Sequence, residues 1–474
     1  MVHAKTIKKI TVILALLLPF VIIGEIKAQA PETSWKEPTL IFQGTGTIYF
    51  PTLIADKYGL VHVFWIYIPP VETTEARYGQ IYYTRWDGNI WSKPVDIIVA
   101  DSFRSFSVTI DLNNQIDLIW VTGTGELYFS HSSIEDAEKP RSWSTPVVLI
   151  NSGQGPGILA DSDGQLFIVF PDQFGGVSYL HSMDGGTSWS AQKTIATSST
   201  IASAASTTFL AISDSGIIHV VWTEFHLPDG WPPIGVFYSK SADNGDTWTP
   251  AMKIDGEGYD QINIITGKDG IVHLAWNGMV GVYGRYHCWS RNDGESWSGI
   301  ETVIDWGATS GPPGLVLDSL GALHFLTTDG EAAWYSNWDN QLWSTPLQLP
   351  RGEIKSSYWI EESNLSINRG NQLHAVYWSD RQKLWYTTTQ IASPAETAVP
   401  MIETESVEPT RTSISEVILT TPSPISSPTT YIPISKISND ISGPGMIFLV
   451  SLAPVIILIG GIIVIRSNIN RKRH

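Results

Sequence analysis

One short pattern constrains this chain more than any other feature. Ser-x-Asp-x-Gly-x-Ser/Thr-Trp occurs at residues 182–189 and 241–248, and recurs at 290–297 with Asn in the Asp place. These residue types suit a tight β-hairpin tip. The Asp184, Asp243 or Asn292 side chain is expected to accept hydrogen bonds from backbone amides just ahead of it. The glycine takes a positive φ, and the Trp buries its ring at the start of the next strand. Three copies at similar spacing predict a repeat architecture in which these three side chains are structural.

The rest of the chain obeys the same period. An apolar run with a central marker residue recurs around His62, Asp117, Phe167, His219, His273, His324 and His374, spaced 50 to 55 residues apart. A turn precedes most of these runs, and an aromatic third run follows, such as residues 81–83, 127–129 and 236–238. Turn-proximal Trp residues follow at 91, 143, 189, 248, 297 and 343. The seventh unit lacks its Trp, but residues 34–41 match 142–149, with Trp35 aligned to Trp143. The expectation is an all-β, seven-bladed propeller of four-stranded blades. The N-terminal strand supplies the outer strand of the last blade, with Leu40 pairing the Trp385 strand. The repeated histidines fall at equivalent places in different blades. They are read as structural groups bonding a neighbouring strand's backbone, and no metal or cofactor is expected.

The flanks differ from this core. Residues 1–30 read as a secretory signal: lysines, an apolar stretch at 10–23, then Ala28-Gln29-Ala30. The propeller is expected over 31–392, a Ser/Thr/Pro-rich stalk over 393–443 and a membrane-spanning helix over 444–465. A basic tail at 466–474 predicts a cytoplasmic end, with the propeller extracellular at the cell membrane. Eight basic residues crowd the two ends, and setting them and Glu25 aside leaves 21 basic against 45 acidic residues, about −24. That charge argues against nucleic acid as a partner. The single cysteine, Cys288, excludes an intrachain disulfide and lies in a strand-like run as an inert buried thiol. Asn364-Leu365-Ser366 has the form of a glycosylation sequon.

In a propeller, loops joining the second strand to the third, and the fourth to the next blade's first, share one face. Candidate ligand-binding residues there are Arg104, Asp172, Glu224, Trp231, Arg285, Trp306, Asp329, Trp359, Asp380 and Arg381. Glu75, Arg77, Glu126, His226, Tyr259, Asp260, Glu331 and Arg351 share the same loops. Carboxylates, a few arginines and loop aromatics together suit a sugar, whose rings stack on aromatic faces and whose hydroxyls bond carboxylates.

The boxed turns resemble the Asp-box, or BNR, repeat of sialidases and related β-propellers, and the resemblance covers about three quarters of the chain. It implies a glycan or glycoconjugate as partner. Sialidases hold the substrate carboxylate with three arginines, and they use a Tyr–Glu nucleophile pair with an Asp acid/base. The first arginine of that set belongs to a Phe/Tyr-Arg-Ile-Pro motif. Here the matching stretch is Tyr49-Phe50-Pro51, with Tyr49 in the arginine place. Sialidases have six blades, against seven counted here. The expectation is a cell-surface glycan-recognition propeller without standard sialidase activity. A glycoside hydrolase or lyase, and a protein-binding platform, are the alternatives.

Overall fold

The computed structural model describes residues 34–70, 78–151, 155–228, 230–307, 311–355 and 357–397. They form seven four-stranded antiparallel sheets, the blades of a propeller. Strands are lettered a to d from the axis outward. The a strands are Thr47–Ala55, Phe103–Ile110, Gly157–Ala160, Ser203–Ile212, Tyr259–Thr266, Gly314–Leu317 and Ile360–Asn368. Consecutive a strands pack on one another around the axis, and the last packs on the first to close the ring. At this closing seam the amides of Phe50, Leu53 and Ala55 donate to Glu362 Oε2 (2.6 Å), Asn364 Oδ1 (3.2 Å) and Ser366 Oγ (2.9 Å). Asn364 therefore belongs to an inter-blade seam, with its oxygen already bonded.

Blade 7 is completed by the N-terminus. Thr39–Gln43 pairs antiparallel with Lys383–Gln390, with Leu40 opposite Trp385. Upstream, the Lys36 amide donates to Thr388 O (3.0 Å), Thr387 Oγ1 to Lys36 O (2.6 Å) and Thr389 Oγ1 to Ser34 O (2.9 Å). Both faces of each blade are buried, which is why the b strands read as unbroken apolar runs. Within Val61–Ile68, Phe64 and Ile66 face blade 2, whereas Val63, Trp65 and Tyr67 face blade 7.

The box Trp residues bind one blade to the one before it. Trp91, Trp189, Trp248, Trp297 and Trp343 each meet the c-strand ring of the preceding blade edge-on: Tyr386, Phe129, Tyr179, Tyr238 and His287, at centroid distances of 4.8 to 5.5 Å within the favourable range for T-shaped pairs. Trp35 does the same to Tyr335 of blade 6 (5.5 Å), so the N-terminal segment takes over the seventh blade's box position as well as its outer strand. In the turns themselves, Asp184 Oδ1, Asp243 Oδ1 and Asn292 Oδ1 accept from the amides of Ser188, Thr247 and Ser296 (2.8, 2.8 and 3.0 Å).

The marker histidines correct one expectation. Their partners are side chains on strand c, not backbone. His62, His219, His324 and His374 each place Nδ1 within 2.6 to 2.8 Å of a tyrosine hydroxyl, on Tyr83, Tyr238, Tyr335 and Tyr386. His273 pairs with His287 (3.0 Å). In blades 1 and 6 the far nitrogen, Nε2, also donates to Asp56 Oδ2 (3.2 Å) and Asp318 Oδ2 (3.3 Å). Nδ1 is then left to accept from the tyrosine. The reason is geometric: the imidazole lies between blades, where backbone groups are already paired in the ladders and only side chains reach.

Hydrogen bonds continue past the last strand. The Ile391 and Glu396 amides donate to Asn371 O and Arg369 O (2.9 and 2.8 Å), and Ser393 Oγ donates to Asp318 Oδ2. Among the described residues no helix is long and apolar enough to cross a membrane. The expected signal, the greater part of the stalk, the membrane helix and the basic tail lie outside the described residues.

Candidate functional site

The b–c and d–a loops emerge on one face, called upper here; the a–b turns and the boxed c–d turns emerge on the lower face. Large exposed aromatic side chains are distributed unevenly between the two. Phe50, Tyr78, Phe174, Trp231, Tyr283 and Trp306 are exposed, and all six stand at the upper face. The exposed large apolar residues of the lower turns are aliphatic: Ile90, Leu112, Met183, Leu320 and Leu342.

The ten candidate residues fall into separate groups on this face. Trp359, Asp380 and Arg381 come together at the junction of blades 7 and 1. Asp380 Oδ1 accepts from the Trp359 amide (3.1 Å), and the Asp380 amide donates to Trp359 O (2.9 Å). The Arg381 guanidinium lies 5.3 Å from the centre of the Tyr49 ring and 5.5 Å from that of Trp378, a distance at which a cation is attracted to an aromatic face. Arg285, Trp306 and Asp329 form a second group at blades 5 and 6. Arg285 is buried; it donates to Thr327 Oγ1 (2.8 Å) and to the carbonyls of Gly284, Gly307 and Thr328 (2.9, 3.1 and 2.6 Å). Burial lowers its pKa to about 10, so it stays charged at neutral pH while acting as a clamp between two blades. Trp306 packs edge-on against Trp334 (5.4 Å), whose Nε1 donates to Asp329 Oδ2 (2.8 Å).

The remaining candidates stand apart. Glu224 is buried under residues 199–203, accepting from the Ser199 amide (3.0 Å), Ser199 Oγ (2.5 Å) and Ser203 Oγ (3.2 Å). Asp172 accepts from the Phe174 and Gly176 amides and from Ser178 Oγ (2.8, 3.1 and 2.7 Å). Both carboxylates hold loops rather than point at ligand. Arg104 is exposed and donates to Gly123 O (2.7 Å). Trp231 is exposed in the b–c loop of blade 4. Glu75 and Arg77 lie outside the described residues.

At the axial mouth the structure joins Tyr49 and Asp260, already named from the sequence, to Gln261, Glu361 and Glu362, which loop reading overlooked. Four a strands break register with their b strands at the same place, between Tyr49/Thr52, Ala205/Thr208, Asp260/Asn263 and Glu361/Asn364. In three of these bulges a non-glycine residue has positive φ: Phe50 (52°), Gln261 (58°) and Glu362 (49°). Such conformations cost on the order of 1–3 kcal/mol each and cluster at functional sites. Asp260 and Glu361 therefore occupy in blades 5 and 7 the position of Tyr49 in blade 1. Burial raises the Asp260 carboxyl to about 6, against the opposing effect of the Gln261 amide. Burial also raises Glu362, opposed by hydrogen bonds from Trp378 Nε1 and the Phe50 amide. A sequence signal for this ring exists: Phe50, Gln261 and Glu362 each precede their blade's marker histidine by twelve residues. Among the described residues no three His, Cys, Asp or Glu side chains converge as a metal site.

No protein-family profile matches the chain, and no curated protein matches it. Solved structures do. The BP39L lectin from Burkholderia pseudomallei is 12% identical, with 76% of this chain and 99% of that chain covered, at a TM-score of 0.54. An ulvan lyase, from a polysaccharide lyase family and bound to -[GlcA(1-4)Rha3S]-, is 11% identical over 75% of this chain and 96% of its own, at 0.50. The NanB sialidase from Streptococcus pneumoniae is 14% identical over 75% and 71%, at 0.45. At such identities the likeness concerns the fold, and what this chain has in common with the lectin and the lyase is a β-propeller.

Proposed function

We propose that this protein is a glycan-recognition propeller whose upper face binds carbohydrate, displayed at the cell surface on a C-terminal stalk and membrane helix. The observation that carries the reading is the gathering on that face of all six aromatic rings exposed among the described residues. Aromatic rings exposed to water cost solvation free energy, and a one-sided set of them beside polar loop groups suits stacking against sugar rings. Binding sites on propellers also fall naturally at loop faces held by a rigid scaffold.

Sialoside hydrolysis is not the expected activity. Tyr49 replaces the arginine of the sialidase motif, Arg285 is engaged by Thr327 and three backbone carbonyls, and Arg104 bonds a carbonyl. Arg381 lies against the Tyr49 ring, 5.3 Å from its centre. A neutral hydroxyl in place of a bidentate guanidinium gives up charge-assisted bonds to a carboxylate. A second reading, a carbohydrate-cleaving enzyme, is favoured by one observation: Asp260 and Glu362, buried carboxyl groups with raised pKa, both stand in the strained bulges at the axial mouth.

The test is paired. The full chain is screened on a glycan array, and turnover of a fluorogenic sialoside is measured. Glycan binding is expected, weakened at least tenfold in Trp231→Ala/Trp306→Ala, with sialoside turnover at background. Binding indifferent to both substitutions sinks the recognition reading, and turnover lost in Asp260→Asn establishes the enzyme reading instead.

A further inference from the structure

Two independent features of the domain share one axis. The exposed aromatics stand on the upper face, and both ends of the described chain lie on the lower one. Ser34 O accepts from Thr389 Oγ1 at the lower end of the Lys383–Gln390 strand. At the other end, the segment after that strand crosses the lower turns: Asn371 Nδ2 donates to Ser393 O (3.0 Å), and Ser319 Oγ donates to Pro394 O (2.7 Å). Asn371 and Ser319 belong to the a–b turns of blades 7 and 6. The described chain thus begins at Ser34 and ends at Thr397 on the side away from the aromatic face.

The aromatics are also spread around the ring. Phe50 and Tyr78 belong to blade 1, Phe174 to blade 3, Trp231 to blade 4 and Tyr283 to blade 5, and Trp306 lies on the loop into blade 6. A single sugar ring stacks on one or two such rings. Only a ligand many sugar units long meets several of them at once.

We propose that the upper face is a platform for an extended polysaccharide, which lies across several blades and approaches from the side opposite both ends of the described chain. This rests on the glycan reading above and adds ligand length and direction of approach to it. Contacts made by successive sugar units act intramolecularly after the first, so affinity grows with chain length. Because Ser34 and the 391–397 segment both lie on the far face, neither end of the described chain stands in the path of a long polymer across the platform.

The full chain in detergent is examined by affinity gel electrophoresis against xylan, pectin, alginate and ulvan. Mono- to octasaccharides of each retarding polymer are then titrated. Affinity is expected to rise at least tenfold from monosaccharide to hexasaccharide; a monosaccharide binding as tightly as its polymer overturns the platform. Direction is tested with biotin–maleimide and streptavidin, for which the buried Cys288 offers no competing thiol. Ile201→Cys, fully exposed in the loop between blades 3 and 4, and Met183→Cys, exposed in the lower boxed turn of blade 3, carry the block. Streptavidin at position 201 is expected to abolish retardation and at position 183 to leave it unchanged; the reverse overturns the proposal. If no glycan binds on the array or in the gel, the glycan reading itself falls. If glycans bind without length dependence, only this inference falls.

Discussion

At the scale of single residues, the blades show why some repeat positions vary and others do not. The third and fourth places after the box serine both take positive φ. Gly185, Asn244 and Asp293 fill the earlier place, at 65°, 55° and 52°. A Cβ on Gly185 meets nothing within 4 Å. The later place is glycine each time, because a Cβ on Gly186, Gly245 or Gly294 lands 2.1 to 2.4 Å from Phe129, Tyr179 or Tyr238. Gly245→Ala is therefore expected to cost about 2–4 kcal/mol, combining left-handed strain with overpacking, whereas Gly185→Asn is expected to stay within about 0.5 kcal/mol. Urea unfolding of the two variants checks this, and equal costs would refute the packing argument. Asp117 supplies a pH test. It takes the marker position in blade 2, but its strand-c counterpart is Phe129, which cannot hydrogen-bond, and neither carboxylate oxygen has a hydrogen-bond partner. Burial, then the nearby Asp111 carboxylate, raises it from 3.8 to about 8. The folded state keeps a proton that the unfolded state releases, so stability falls as pH rises from about 4 to about 8 and then levels off. Asp117→Asn carries a permanent donor toward Asp111, as His62 does toward Asp56. It is expected to stabilise the protein by on the order of 1–3 kcal/mol at pH 8 and by much less at pH 4. A gain independent of pH would show that the carboxyl does not titrate in this window.

At the scale of elements, the N-terminal segment decides whether the ring is closed. It provides blade 7 with its outer strand, and with Trp35 as the wedge against Tyr335. Removing that ring leaves a cavity at the junction of blades 6 and 7. Trp35→Ala is expected to cost about 3–5 kcal/mol, and deletion of residues 31–43 to lower the melting temperature further, because the outer edge of Lys383–Gln390 is then left unpaired. A truncated chain melting at the unchanged temperature would show that closure rests on the a-strand seam of Glu362, Asn364 and Ser366 instead. That seam and the clasp lie at opposite radii of the same blade, so their losses are expected to add.

At the scale of the whole molecule, rigidity and polarity of the disc matter more than any one pocket. Clefts do exist between blades: one of about 320 Å³ is lined by Trp120, Tyr128, Glu126 and Asp101. Its Trp is buried, however, and Glu126 is occupied by the hydroxyls of Thr122 and Thr124 (3.0 and 2.5 Å). The accessible chemistry lies in the upper loops and the axial mouth, held by seven sheets whose faces are all buried. A ligand held by several loops of one rigid scaffold is expected to loosen gradually under single substitutions, which is why the glycan test above combines Trp231 and Trp306.

Period and pattern in the sequence were enough for the architecture. Boxed turns, marker residues at regular spacing and the match of residues 34–41 to 142–149 led to seven blades, the clasp and the Leu40–Trp385 pairing, because a propeller's order is written locally in each repeat. They also placed Trp231, Trp306 and Arg381 on loops of one face. What a side chain does once there was decided by tertiary structure. Asp172, Glu224 and Arg285 look like ligand-binding groups in sequence, but a buried or loop-bracing polar group must satisfy its hydrogen bonds nearby, and only the folded neighbours show that it has done so. The partner of each marker histidine lies on another strand, and the axial ring of Tyr49, Asp260 and Glu361 is assembled from residues some hundreds of positions apart. Local propensity carries no record of such meetings; the closure of the ring brings them about.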